Sequence, residues 1–184
     1  MAKQIHSGTG HNINADNVFI NSIPKISSDL TAVVNALGKK LFFPDIESDN
    51  EITTPFDPEK KIRYNNVIKF KAIIENYKSY VGKLSSIYKE FDSQGTNKTH
   101  IVLENIKLAY IKEKAALLAI NEGKQEIDVI RAAADNIIDK VENTLLTEIK
   151  TSSNIETSSE TINLSLQIVL IDAFIRCKIL EEPI

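Results

Sequence analysis

Apolar residues recur along this chain at helical spacing, and they are densest near its C-terminal end. Residues 161–180 (TINLSLQIVLIDAFIRCKIL) are apolar on almost every side. A surface helix shows one apolar stripe and one polar face, so this pattern predicts a helix packed all round by other elements, the central helix of a core. Asp172 and Arg176 nevertheless stand four residues apart near its middle.

Four more helices are predicted ahead of it. Pro24 sets up the first, with Ser27 or Ser28 as N-cap, Leu30, Val33, Val34 and Leu37 facing inward, and Gly38 near its end. Residues 42–63 hold three prolines and a cluster of acids, which reads as a long irregular connection pinned to the helices by Phe42, Phe43 and Phe56. From Asn65 or Asn66 to about Asp92, the residues Val67, Phe70, Ile74, Tyr77, Val81, Leu84, Tyr88 and Phe91 alternate spacings of 3 and 4. That heptad seam predicts one long helix, with Gly82 inside it marking a close neighbour or a bend. Gly95 suits a left-handed position after this helix.

The next helix, residues 98–121, is expected to bury Val102, Leu103, Ile106, Tyr110, Leu117 and Leu118. Gly123 separates it from a helix over residues 124–150 whose stripe is Ile127, Ile130, Ala134, Ile137, Val141, Leu145 and Ile149. A polar loop, residues 151–159, follows. Thr157 and Glu160 have capping-box spacing, so the last helix starts near Ser158, and Pro183 forbids its continuation.

Five helices joined in succession predict an all-α fold, an antiparallel bundle over residues 24–184. Residues 1–23 form a separate Gly- and Asn-rich tail, either flexible or strand-forming, because its apolar residues sit two apart: Ile13 with Ala15, Val18 with Ile20. A lone two-stranded ribbon is marginal in water. Ordered, the tail would add strands to a partner or to copies of itself, which makes Ile13, Val18, Phe19 and Ile20 candidate partner-binding residues.

Composition narrows the function classes. With 22 basic and 25 acidic residues the formal net charge is −3, which leaves no electrostatic footprint for unaided nucleic-acid binding. The single cysteine, Cys177, excludes an internal disulfide and a cysteine metal site, and fits a reducing cytoplasm. No signal-peptide core opens the chain, and no run of about 18 apolar residues exists to span a membrane. Asn97-Lys98-Thr99 reads as a polar turn rather than a glycosylation acceptor.

No catalytic set emerges from the remaining residues, and no cofactor is implied. Gly8-Thr9-Gly10 lacks the lysine and the strand–helix context of a phosphate loop. His6, His11 and Asp16 are weak metal candidates on a tail, and His100 has no placed partner. The tyrosines at 64, 77, 80, 88 and 110 fit amphipathic core edges better than stacking platforms. Asp172 and Arg176 share a helix face, and either charge buried alone would cost several kcal/mol. They are therefore read as a structural ion pair or a specificity device at a protein interface.

Two segments carry a family resemblance: IVLIDAFIRCKILEEP, residues 168–183, and IYKEFDSQGTNK, residues 87–98. They resemble the closing motif and the helix–turn of a small C-terminal domain of bacterial ABC-three-component conflict systems, of which Lamassu-like antiphage systems are one class. The N-terminal Gly-Thr-Gly and Asn-rich stretch is similar to the short leaders of such domains. The resemblance implies an assembly role, coupling an effector nuclease or protease to an SMC-like ABC ATPase that senses invading DNA. No effector domain precedes the helices here, so the expectation is a stand-alone accessory or bridging subunit, non-enzymatic and cytoplasmic. It would contact the ATPase, the effector or further copies of itself, and neither nucleic acid nor membrane directly. The reading from another class is an independent small regulatory protein, antitoxin-like or a DNA-binding repressor.

Overall fold

The apolar C-terminal stretch forms α7 (Ser159–Ile175), and the core is built around it. The computed structural model describes residues 27–43, 57–95 and 97–183. Among the described residues are α1 (Asp29–Leu41), α2 (Pro58–Asn65), α3 (Lys71–Glu75), a 3-10 turn (Asn76–Ser79), α4 (Val81–Ser93), α5 (Lys98–Ala119), α6 (Glu126–Thr151) and α7, with no strand. The described residues are all-α as expected, but they form seven helices rather than five. The proposed strand-forming residues Ile13, Val18, Phe19 and Ile20, and the tail candidates His6, His11 and Asp16, lie outside the described residues.

Ser158 begins α7 by accepting a hydrogen bond from Thr161 N at 3.3 Å, one residue after the expected capping box. Ile162, Ser165, Leu166 and every residue from Ile168 to Ile175 are buried. The helix ends at Ile175 rather than at residue 180, well before Pro183. Cys177 N donates to Phe174 O at 3.1 Å and Lys178 N to Ala173 O at 2.8 Å. Those two bonds are the Schellman closure, with Cys177 in the left-handed conformation (φ 59) that glycine or asparagine usually supplies.

The same closure corrects the long helix predicted after residue 65. Asn66 N donates to Arg63 O and Val67 N to Ile62 O, with Asn66 left-handed at φ 56, so the chain turns there. Upstream, Asp57 caps Glu59 N at 3.0 Å and Pro58 opens α2, inside what reads from sequence as an irregular connection. Downstream, the Asp135 carboxylate on α6 accepts from Ile68 N at 3.1 Å and Lys69 N at 3.0 Å. α3, the 3-10 turn and α4 therefore replace one helix, while Val67, Phe70, Ile74, Tyr77, Leu84, Tyr88 and Phe91 all remain buried. Burial followed the seam because packing sets it; continuity did not, because caps override periodicity.

Other details differ locally. Phe42 and Phe43 are 79% and 66% exposed and pin nothing to the helices; Phe56 lies outside the described residues. The left-handed residue near the α4–α5 junction is Asn97 (φ 62), not Gly95. Gly123, between α5 and α6, does take a positive φ of 82.

Apolar burial, hydrogen bonds and one close approach seat α1 on the core. Ser28 caps it through Thr31 N, and Leu30, Val33, Val34 and Leu37 are buried as expected. Asn35 and the loop after α6 are tied together: Asn35 Nδ2 donates to Asn154 O at 2.5 Å, and Thr157 Oγ1 donates to Asn35 Oδ1 at 3.2 Å. Gly38 lies against α7, where a Cβ would fall 2.4 Å from Thr161 Cγ2 and 3.3 Å from Ser165 Oγ.

Candidate functional site

Asp172 sits on the inward face of α7 and is 1% exposed. A carboxylate so placed needs donors on both oxygens, and three elements provide them. Tyr77 in the 3-10 turn donates to Oδ1 at 2.5 Å, and Tyr88 on α4 donates to Oδ2 at 3.0 Å. Arg176, one turn further on at the C-cap of α7, donates from Nε to both oxygens at 2.9 and 2.8 Å. Its guanidinium also lies 5.5 Å from the centre of the Tyr88 ring, within cation–π range.

The electrostatics follow from that geometry. Burial, and then the neighbouring Asp172 charge, push both tyrosine hydroxyls far above their ordinary range, so they stay protonated donors. Burial works against the Arg176 charge, but Asp172 outweighs it and raises the guanidinium further. Arg176 keeps 34% of its side chain exposed. Nε is engaged with Asp172, while the Nη groups have no hydrogen-bond partner among the described residues. The cluster has no free nucleophile or base; it orients one cationic edge at the surface.

A second polar cluster fastens the segment after α7. Lys61 on α2 is 1% exposed, and its ammonium donates to Phe174 O at 2.6 Å and Ile179 O at 2.9 Å. It stands 4.6 Å from the centre of the Phe174 ring. A cation at the carbonyl end of a helix is favoured by the helix dipole, but burial dominates and lowers the Lys61 pKa. Buried Asn65 clasps Glu181 through its backbone, donating to Glu181 O at 2.8 Å and accepting from Glu181 N at 2.9 Å. The Glu181 carboxylate accepts from Tyr110 Oη at 2.6 Å and Lys114 Nζ at 2.7 Å. Burial alone would raise its pKa; those two donors outweigh it and hold it below the ordinary value.

Between α5, the start of α6 and this fastened segment lies an open groove of about 810 Å³, bordered by Tyr64, Lys107, Lys114, Glu126, Lys178 and Glu182. Its lysines and acids largely neutralise one another: Lys114 lies 2.5 Å from Glu126, and Lys178 lies 2.6 Å from Glu104. Among the described residues no group of His, Cys, Asp and Glu could hold a metal ion. His100 lies exposed on α5, and no described helix is long and apolar enough to cross a membrane.

The two charges singled out from sequence, Asp172 and Arg176, are thus brought together, whereas Ile13, Val18, Phe19 and Ile20 are outside the described residues. Sequence reasoning missed Tyr77 and Tyr88 as partners, although a buried carboxylate with one cation calls for further donors and both tyrosines lie on the buried seam. It also missed Lys61. The signal was the spacing of Pro58, Lys61, Ile62 and Asn65, which places that lysine on the inward face of α2.

Residues 28–181 match the family model for C-terminal domain 10 of the ABC-three component (ABC-3C) systems. No curated protein and no solved structure matches the chain at significance. Since the match runs from the Ser28 cap of α1 to the Glu181 clasp, and so takes in all seven described helices and both polar clusters, the chain belongs to the C-terminal domain 10 family of ABC-three component systems.

Proposed function

We propose that this chain is a non-enzymatic accessory or bridging subunit of a bacterial antiphage defence complex of Lamassu-like type. It joins an SMC-like ABC ATPase and an effector nuclease or protease through protein contacts in the cytoplasm. The observation that carries this reading is the family match over residues 28–181. Two structural features agree with it. Asp172, Lys61 and Glu181, the buried and half-buried charges of the two clusters, are committed to holding α7 and its following segment. Arg176 then offers its outer edge as a fixed cationic contact for a carboxylate on a partner.

The reading is tested in cells that carry the chain with its neighbouring ABC-three component genes. Deleting the chain is expected to raise phage plating to the level of an undefended host, and a version supplied from elsewhere restores protection. Protection that persists without the chain would contradict the proposal. So would nuclease or protease turnover by the purified chain alone.

A further inference from the structure

α5 carries a second apolar face that no other described helix covers. Val102, Leu103, Ile106, Ala109 and Tyr110 point into the core. On the other side, Ile101, Glu104, Leu108, Ile111, Ala115 and Leu118 recur at spacings of 3 and 4, the a and d positions of a heptad seam. Ile101, Leu108 and Ile111 are 54%, 49% and 46% exposed. At about 1.5 Å per residue the seam runs about 26 Å, enough to lay one further helix along it. Its one charged member, Glu104, is neutralised by Lys178 at 2.6 Å.

The flanks of this seam say what would lie on it. The e and g positions on either side are Asn105, Lys112 and Ala119, and His100, Lys107 and Lys114. Every charged residue in this set is a lysine. Lys112 forms no ion pair among the described residues, and Lys107 reaches Glu104 only at 3.9 Å. A second copy of the chain would set these lysines against their own counterparts, which is unfavourable in either helix orientation. Lys114 is already paired with Glu126 and Glu181, at 2.5 and 2.7 Å, so Lys107 and Lys112 are the cations that an incoming helix with acidic e and g positions would satisfy.

We propose that the outer face of α5 is the docking seam for an acidic amphipathic helix of a partner subunit, seated on Ile101, Leu108 and Ile111 between Lys107 and Lys112. This deepens the bridging reading above by naming its surface and the chemistry of its partner.

The test uses the full chain and two synthetic helical peptides of about three heptads, both with Leu and Ile at a and d. One carries Glu at e and g, the other Lys. The acidic peptide is expected to bind, to weaken as salt rises, and to bind at least tenfold more tightly than the basic one. The double variant Leu108→Glu with Ile111→Glu is expected to lose at least tenfold in affinity for the acidic peptide while its thermal midpoint stays unchanged, since both positions are solvent-facing. Equal binding of the two peptides, binding of neither, or binding undiminished in the variant would overturn the proposal. A wild-type dimer that becomes monomeric in the variant would also overturn it, by giving the seam to a second copy. Peptide binding that holds while the chain fails to join its neighbours' complex keeps this seam and removes the bridging reading. Assembly without peptide binding does the reverse.

Discussion

Replacing Tyr77 by phenylalanine removes one oxygen and leaves the buried ring in place, so it isolates what the hydroxyl contributes to the Asp172 cluster. The lost interaction is a 2.5 Å hydrogen bond to a carboxylate. Hydrogen bonds to charged groups contribute about 1.5–3 kcal/mol, and Asp172 keeps Tyr88 and Arg176, so a loss of about 2 kcal/mol is expected. For a domain of this size that corresponds to a fall of about 4–8 °C in thermal midpoint. Tyr88→Phe, at 3.0 Å, should cost somewhat less. The two changes should not add, because both act on one carboxylate.

The pH dependence gives a second readout with a defined sign. Both hydroxyls are raised above the ordinary value of 10.0 in the fold. Their contribution is complete below about pH 10 and is lost as pH rises beyond it, because the unfolded chain releases protons that the folded chain retains. Each such proton is worth about 1.4 kcal/mol per pH unit, so the pair steepens the alkaline loss by about 2.7. Urea unfolding followed by far-ultraviolet circular dichroism suits a chain with no tryptophan. Between pH 10 and 11 the Tyr77→Phe protein should lose stability less steeply than wild type by about one proton's worth. Unchanged stability at pH 7 together with an unchanged alkaline slope would refute the account of the cluster. Tyr80→Phe, which removes a half-buried hydroxyl with no hydrogen-bond partner among the described residues, is the control and should change little.

Further expectations rest on single contacts. Gly38→Ala forces a methyl against Thr161 Cγ2 and should cost about 1–3 kcal/mol in denaturant unfolding. Lys61→Met leaves Phe174 O and Ile179 O without their donor, at about 1–3 kcal/mol each before the relief of the buried charge. A net loss of about 2 kcal/mol is expected, with faster amide exchange over residues 176–182. Because the folded Lys61 pKa is lowered, the wild-type stability from this group rises with pH between its folded value and 10.5, and that rise should vanish in the variant. Thr31→Val removes a buried hydroxyl that has no partner among the described residues and should stabilise the chain by about 1 kcal/mol, seen as a higher thermal midpoint.

The helical class, the inward faces of α1 and α6, and the central apolar helix were legible in the sequence because each rests on periodic burial. What was not legible rests on local closure and on distant partners. The left-handed Asn66 and Cys177 end helices that periodicity would extend, and in Cys177 the residue type itself hides the turn. The Asp57-Pro58 start of α2 was readable, but the surrounding prolines and acids masked a helix of only eight residues. Asp172 and Arg176 drew notice because charges in an apolar run must be paired. Tyr77 and Tyr88 did not, since their rings satisfy the seam and only the three-dimensional packing aims their hydroxyls at one carboxylate. Ile101, Leu108 and Ile111 were overlooked because α5 is apolar on both faces, and sequence alone does not tell which face the core takes.

The proposed bridging role is tested most directly by co-expressing the chain with the ABC ATPase and the effector proposed as its partners, then measuring the mass of the purified assembly by size-exclusion chromatography with light scattering. The account predicts one species that contains the chain with ATPase, effector or both at a fixed ratio. A chain that elutes alone, with the ATPase and effector found only in separate peaks, would contradict it.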